Sequence, residues 1–252
     1  MSTEIQIDDE LDLENPLLIE GLAGIGHIGR NCVSYLAEQL DAEKIGILHS
    51  HHFPPYTLVS DDKTLDALEN EIYHLEIDGR DVIMIEGNAQ ASSTEGHYEI
   101  ADKVLDLAEE LGVNEIMTIG GYGQGEVVDN PEVFGAVTDE ELKEQYVDQG
   151  LTFDHDVDQI VGISGLLLGL GKRRGMEGVA LLGETPGFLM SDPNSTENVL
   201  NCIENILEIE LDYSSLDEKV EESQEVLKKL QNLKGSQSDG DSSQSSDLGY
   251  IG

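Results

Sequence analysis

The chain has 252 residues, with 13 Lys and Arg against 53 Asp and Glu, so its formal net charge is −40. This length allows one large α/β domain or two small ones. The charge argues against nucleic acid or an anionic membrane as a partner, because the one basic cluster is Lys172-Arg173-Arg174. Molar salt would screen the self-repulsion of so acidic a chain, which predicts adaptation to the salty interior of a halophilic microbe.

The compartment is predicted from three negative features of the sequence. Cys32 and Cys202 lie in amphipathic helical patterns, which predicts buried free thiols in a reducing compartment. No run approaches the roughly 18 apolar residues that span a bilayer. The start of the chain, residues 1–15, reads as an acidic leader without the basic and apolar regions of a signal peptide. We therefore expect a cytoplasmic protein.

The first half of the chain alternates between short apolar runs and an amphipathic helix. In order, the patterns predict a strand at Leu17–Glu20, a helix at Gly26–Leu40, and strands at Lys44–His49, Tyr56–Val59, Ile72–Ile77 and Asp81–Glu86. The strands Tyr56–Val59 and Ile72–Ile77 are candidates to pair with each other. Asp78-Gly79 is a turn signal between the last two strands.

The second half continues the alternation. Ser92 and Glu95 have capping-box spacing and open a helix that Gly112 ends. The later patterns predict a strand at Glu115–Ile119, extended segments at Pro131–Val137 and Leu151–Phe153 around a short helix at Asp139–Val147, a strand at Gly178–Leu182 and a helix at Ser195–Ile209. Ile160–Lys172 fits either a buried helix or a glycine-interrupted strand–helix junction. The sum is a three-layer α/β domain over residues 16–212, with a mostly parallel, partly mixed sheet.

The C-terminal part differs in composition. Residues 213–234 form a charged amphipathic pattern with apolar positions Leu216, Val220, Leu227 and Leu230, which fits a coiled coil between subunits or a helix lying on its own domain. Residues 235–247 are low-complexity and polar, which predicts disorder. The last residues turn apolar again, so the tail 235–252 is either a tethered docking peptide or a terminus without a role.

The first glycine motif, Gly24-Ile25-Gly26-His27-Ile28-Gly29, has the G-x-G-x-x-G spacing of a dinucleotide site between a strand and a helix. Such a site also needs an acid at the end of the second strand, to hold the ribose hydroxyls. Here that strand ends in His49-Ser50-His51-His52. A tight turn that lets the helix approach the sheet is the simpler use of Gly24, Gly26 and Gly29.

The other candidate sites are weaker still. The loop with Gly120, Gly121 and Gly123 follows a strand and offers amides to a ligand, but it lacks the Lys-Ser/Thr of a P-loop. The cluster His49, His51 and His52 has no partner motif for zinc. Ser164 lacks the glycine two residues on that a nucleophile elbow requires. The sequence thus predicts no catalytic residues, no metal and no cofactor, in an enzyme-like fold used for binding.

Several segments together resemble the proteasome assembly chaperone family, in its archaeal branch, over about Leu17–Leu211. They are LIEGLAGIGHIGR, HHFPPY, MIEGNAQ with GHYEIADKVLDLAEELGV, TIGGYGQGEV with NPEVFGAVTD, and GISGLLLGLGKRRGMEGVALLGETPGFLMSDPNSTENVL. The resemblance implies a fold related to purine nucleoside phosphorylases, a homo-oligomer, and binding to proteasome α subunits during core-particle assembly. It implies no enzymatic activity.

The resemblance also bears on the tail. Proteasome-binding chaperones and activators often end in a hydrophobic residue, a tyrosine and any residue, whereas this chain ends Tyr250-Ile251-Gly252, with the tyrosine third from last. The implied partner-binding residues are Leu248, Tyr250, Ile251 and Gly252. The alternative function is an enzyme acting on a nucleoside or phosphate-bearing ligand, with Gly24–Gly29 and Gly120–Gly125 forming its pocket.

Overall fold

The computed structural model describes residues 3–7, 11–128, 130–214, 216 and 220. The predictions for Leu227, Leu230 and the tail 235–252 lie outside the described residues. The described strands are β1 (Thr3–Ile7), β2 (Leu17–Leu22), β3 (Glu43–Ser50), β4 (Leu58–Val59), β5 (Leu65–Asp66), β6 (Asn70–Ile77), β7 (Arg80–Gly87), β8 (Glu115–Gly123), β9 (Val133–Val137) and β10 (Glu177–Thr185). The described α-helices are α1 (Ile28–Gln39), α2 (Thr94–Glu110), α3 (Lys143–Val147), α4 (Ile163–Arg173) and α5 (Pro193–Leu207), with 3-10 turns at Ile25–His27 and Glu140–Leu142.

The main sheet is mixed, in the order β1-β3-β6-β7-β2-β8-β10-β9. Its four central strands, β7, β2, β8 and β10, are parallel. The flanking strands pair antiparallel. The prediction of a mostly parallel, partly mixed sheet therefore describes the centre, where strands such as Leu17–Leu22 are fully buried and read as continuous apolar runs.

Helices cover both faces of the sheet, as the three-layer prediction requires. Alternate strand residues point to opposite faces. Leu18 and Ile116 join the core beneath α2 and α4, whereas Ile19 and Met117 join the core beneath α1 and α5. Because β7, β2, β8 and β10 are parallel, their carboxyl ends meet at one end of the molecule. The loops that follow these strands lie at that end.

The predicted pairing of Tyr56–Val59 with Ile72–Ile77 is wrong. β4 pairs with β5 across a tight turn in which the Ser60 amide bonds the Thr64 carbonyl at 3.0 Å. β6 instead pairs with β3 and β7. The local turn closes a two-residue ribbon before the chain reaches the main sheet.

Two helix starts refine the sequence predictions. α2 is capped by Ser93, which accepts a 3.1 Å bond from the Gly96 amide, and not by Ser92. The Ser92 amide is held instead by the His52 carbonyl at 2.8 Å. The ambiguous segment 160–172 is a helix, α4, which begins after Gly162 in the left-handed region at φ 95°.

Two of the predicted helix positions after α5 are described. Leu216 and Val220 are buried in the core beneath α1 and α5. Their own domain therefore covers both side chains. The predicted burial of Cys32 and Cys202 as free thiols in the same core is confirmed.

Candidate functional site

The glycine turn after β2 lets α1 approach the sheet closely. A Cβ added at Gly29 would lie 2.3 Å from the Ile119 carbonyl oxygen, and one at Gly21 would lie 2.2 Å from the Gly29 oxygen. Gly26 has φ 63°, in the left-handed region, whereas a Cβ at Gly24 would meet only a distant Gln90 nitrogen at 3.9 Å. Close packing accounts for Gly21 and Gly29, and backbone conformation accounts for Gly26. Neither accounts for Gly24.

An acid, Asp192, closes that turn. It is buried, and its amide donates to the Gly26 carbonyl at 2.9 Å. Its carboxylate accepts from the Thr185 hydroxyl at 2.7 Å and from the Ser195 amide at 3.1 Å, which caps α5. A phosphate placed against the glycine turn would meet this carboxylate. The arrangement disfavours a dinucleotide pyrophosphate there.

The second glycine loop is also occupied by protein. A Cβ at Gly121 would lie 2.3 Å from the Ile25 oxygen, and one at Gly123 would lie 3.3 Å from the Gly187 Cα. Gly120 has only the Leu182 side chain nearby, at 3.4 Å. The next two amides, of residues 124 and 125, donate to the backbone carbonyls of residues 185 and 186 at 2.8 and 3.2 Å. Those amides are not available to a phosphate.

The histidine cluster at the end of β3 is tied into the structure. His49 Nδ1 lies 3.2 Å from the Leu68 carbonyl, and His52 Nε2 lies 3.2 Å from Glu99 Oε2. His51 packs edge-on against His49. Among the residues the model describes, no three His, Cys, Asp or Glu side chains converge as metal ligands. The cluster borders a cavity of about 430 Å³ beside the β4–β5 ribbon.

A buried carboxyl group, Glu20, lies at the centre of the sheet and was not among the predicted site residues. Glu20 on β2 is only 1% exposed and lies in register with Thr118 on β8. Within the described part of the chain, neither the Glu20 oxygens nor the Thr118 hydroxyl has a partner in hydrogen-bonding geometry. Burial raises the pKa of Glu20 to about 7, and the nearby Ser164 hydroxyl and Leu22 backbone lower it by less. The sequence feature that indicates this group is an acid within the apolar run Leu17–Leu22.

Glu86 occupies the same Ile-Glu-Gly context at the end of β7 but has a partner. Its Oε1 accepts from Arg30 Nε of α1 at 3.1 Å. Burial raises the pKa of Glu86, and the Arg30 guanidinium opposes that shift. Glu86 lies on the face of the sheet opposite to Glu20. Helix α1 covers that face and carries Arg30.

Exposed apolar side chains gather at the carboxyl end of the parallel strands. We call four of them the apolar loop face: Ile25, Val161, Phe188 and Met190, which are 48, 82, 49 and 83% exposed. Gln90 joins the loops that carry Ile25 and Val161, because its Nε2 donates to the Ala23 carbonyl at 2.8 Å and its Oε1 accepts from the Ile163 amide at 3.4 Å. The β4–β5 ribbon adds exposed Tyr56, Leu58, Val59 and Leu65 at the same end.

Leu216, which follows α5 in the chain, lies near the loop that carries Met190. Leu216 lines a cavity of about 170 Å³ together with Ser191 and Pro193. Ser191 follows Met190 directly and accepts a 3.0 Å bond from the Asn31 side chain.

These features define the class: a mixed α/β sandwich whose glycine loops are packed with protein and whose loop end is apolar and exposed. The chain belongs to the PAC2 family, whose model matches residues 18–231. It is 35% identical to the uncharacterized protein MJ1210 of Methanocaldococcus jannaschii, over 98% of this chain and 96% of that protein.

Two solved structures from Pyrococcus furiosus have the same fold. PbaB, described as an archaeal proteasome activator, is 37% identical with a TM-score of 0.85, over 91% of this chain and 99% of that one. PbaA, described as an archaeal homolog of proteasome-assembly chaperone, is 24% identical with a TM-score of 0.75, over 94% of each chain. The descriptions of the family and of these two neighbours name no enzymatic activity. No described helix is long and apolar enough to cross a membrane.

Proposed function

We propose that this protein is an assembly chaperone that binds proteasome α subunits and assists assembly of the core particle. The observation that carries the proposal is the 37% identity to the P. furiosus proteasome activator, which extends over 91% of this chain. PbaB, which matches nearly the whole folded domain of this chain, is described as acting on the proteasome. The PAC2 family membership and the fold shared with PbaA support the same proposal.

The chemistry of the described residues agrees with binding rather than catalysis. The amides of the second glycine loop are engaged by the backbone, and Asp192 stands against the first glycine turn. The loop end offers exposed apolar side chains, which typically mark a contact with another protein. We further propose a cytoplasmic homo-oligomer whose tail residues Leu248, Tyr250, Ile251 and Gly252 contact the α subunits.

Affinity co-purification from the native extract, kept at molar salt, tests the proposal. The tagged full chain should recover proteasome α subunits, and a chain lacking residues 247–252 should recover fewer of them. Equal recovery by both forms would place the contact on the folded domain and remove the tail from the proposal. Recovery of α subunits by neither form would contradict the chaperone function.

A second candidate function is activation of the assembled proteasome, which the description of PbaB favours. The two candidates differ in when the chain acts. A chaperone should increase the yield of core particle from separate subunits, whereas an activator should increase peptide hydrolysis by core particle already assembled. Running both assays with the same preparation separates them, because an assembly factor alone leaves the hydrolysis rate of finished particles unchanged.

A further inference from the structure

We infer that the outer edge of β1 pairs with the same edge of a second copy of this chain. The eight-stranded sheets of the two copies then join into one sheet across a twofold axis. The inference rests on the proposed homo-oligomer and assigns a surface to it, the outer edge of Thr3–Ile7.

The two edges of the main sheet differ in how the described residues cover them. At the β9 edge, the Gly135 amide donates to the Thr152 carbonyl at 2.8 Å, and the Thr152 amide donates to the Val133 carbonyl at 2.9 Å. His155 Nε2 also lies 2.8 Å from the Gly135 carbonyl oxygen. At the other edge, β1 pairs only with β3 among the residues that the structure describes. Such an edge presents a row of backbone amides and carbonyls to a further strand.

The sequence of β1 lacks the features that usually keep an edge from pairing. Soluble proteins commonly protect an exposed edge with lysine, with proline or with a β-bulge. The strand reads Thr-Glu-Ile-Gln-Ile and pairs with β3 without a shift of register. Glu4 and Gln6 are exposed, whereas Ile5 and Ile7 pack against the core beneath α2 and α4. The edge is therefore regular and suited to the addition of a strand.

The order of side chains in β1 favours a second copy as that strand. A twofold axis perpendicular to the sheet makes the two copies antiparallel and keeps each face of the sheet continuous. Centring the axis on Ile5 uses all five residues, and each Glu4 then lies opposite the partner's Gln6, a neutral amide that can donate to it. Centring the axis on Glu4 would instead set two glutamates directly opposite each other, which destabilises a strand pair. The complementary register is the one with the most paired residues.

The test measures the association of the purified full chain by sedimentation equilibrium in about 1 M KCl, where the Debye length is about 3 Å. Gln6→Glu places two pairs of glutamates in opposition across the contact. It changes only an exposed side chain, so each copy should keep its fold. We expect association about fivefold weaker than that of the unaltered chain, with a smaller difference at higher salt.

A double variant and a charge control make this test specific to the register. Glu4→Gln combined with Gln6→Glu again sets each glutamate against an amide, so association should return to within about twofold of the unaltered value. Gln159→Glu adds the same charge at an exposed residue in the loop before α4, a helix that packs on β8 and β10. This control should also associate within about twofold of the unaltered chain.

The outcomes separate this inference from the proposed function. Unaltered association of the Gln6→Glu protein, or no recovery in the double variant, would overturn the β1 contact and leave the homo-oligomer standing. A chain that sediments as a single copy at every concentration would overturn both. Recovery of α subunits in the co-purification would still support the chaperone function in each of these cases.

Hydrogen exchange gives a second measurement that needs no variant. The backbone amides on the outer edge of β1 should exchange slowly in concentrated protein, where the two copies are paired, and faster after dilution. Equal deuterium uptake by the peptide that contains Thr3–Ile7, at concentrations above and below dissociation of the oligomer, would contradict the inference.

Discussion

The two ends of the parallel strands differ in the side chains that they present. At the amino end, Arg80 pairs with Glu115 at 2.6 Å, and Lys172 with Asp139 at 3.0 Å. Arg174 joins α4 to three acids of α2 there. At the carboxyl end, apolar side chains remain exposed.

The comparison shows where the few cationic side chains of this chain form ion pairs. With 13 Lys and Arg in all, several are placed where they join helices to strands at the amino end. The carboxyl end is held by glycine packing, by buried polar groups and by the Arg30–Glu86 pair. That end also exposes large apolar side chains, which typically mark a contact with another protein.

The largest effect should come from removing salt. A net charge of −40 repels itself more strongly as the Debye length grows from about 3 Å near 1 M salt to about 10 Å near 0.1 M. We expect the melting temperature to fall by roughly 10 °C or more between about 2 M and about 0.2 M KCl. Hydrogen exchange should show loss of protection first at the carboxyl end, since the ion pairs of the other end strengthen in low salt. Equal melting temperatures would refute the predicted halophilic adaptation.

Gly29→Ala should cost the most stability of any single replacement considered. The new Cβ would lie 2.3 Å from the Ile119 oxygen, so α1 must move off β8. We expect a loss of about 3 kcal/mol in the free energy of unfolding, measured by chemical denaturation at molar salt. Gly169→Ala is the control, because nothing lies within 4 Å of its added Cβ. That control should be neutral or more stable by about 0.5 kcal/mol, since Gly169 is inside α4.

The buried Glu20 carboxyl group should make the stability of the protein depend on pH. Its folded pKa of about 7 is above the ordinary value of 4.5, so the folded state holds its proton more tightly than the unfolded chain does. Stability from this group should therefore fall as pH rises from 4.5 to about 7, by about 2 kcal/mol between about pH 5 and pH 7.5. Glu20→Gln should remove that part of the pH profile in chemical denaturation at molar salt. Identical profiles for the two proteins would contradict the assignment.

Arg174→Ala tests the other end, with the smallest expected effect. The guanidinium lies 2.9 Å from Asp102, 2.9 Å from Asp106 and 3.3 Å from Glu109. These carboxylates are about half exposed, so we expect a loss of about 1 kcal/mol at molar salt and more at low salt. Lys103→Ala, which loses a single 3.6 Å contact with Asp106, is the control and should change stability less. An Arg174 effect that does not depend on salt would show that packing, not charge, joins α2 to α4.

Much of the fold could be predicted because burial imposes a period on the sequence. Leu17–Glu20 predicted most of β2, and Gly178–Leu182 most of β10. The predicted pairing of Tyr56–Val59 was wrong, because the turn Ser60–Thr64 directly after it pairs β4 with β5. Periodicity predicts which residues are buried, but not which strand lies alongside.

The site was less predictable for a related reason. Which face of the sheet a helix covers decides that Glu86 meets Arg30 while Glu20 meets no cation. The apolar loop face joins residues 25, 161, 188 and 190, which only the tertiary fold brings together. No local pattern marks such a surface, whereas the glycine turns were visible because close packing at Gly29 and a left-handed backbone at Gly26 favour glycine there.

The most direct measurement is sedimentation of purified proteasome α subunits mixed with the full chain at molar salt. The account predicts a complex that contains both proteins. It also predicts that removal of residues 247–252 weakens the complex. Separate sedimentation of the unaltered chain and the α subunits at every mixing ratio would contradict the central claim.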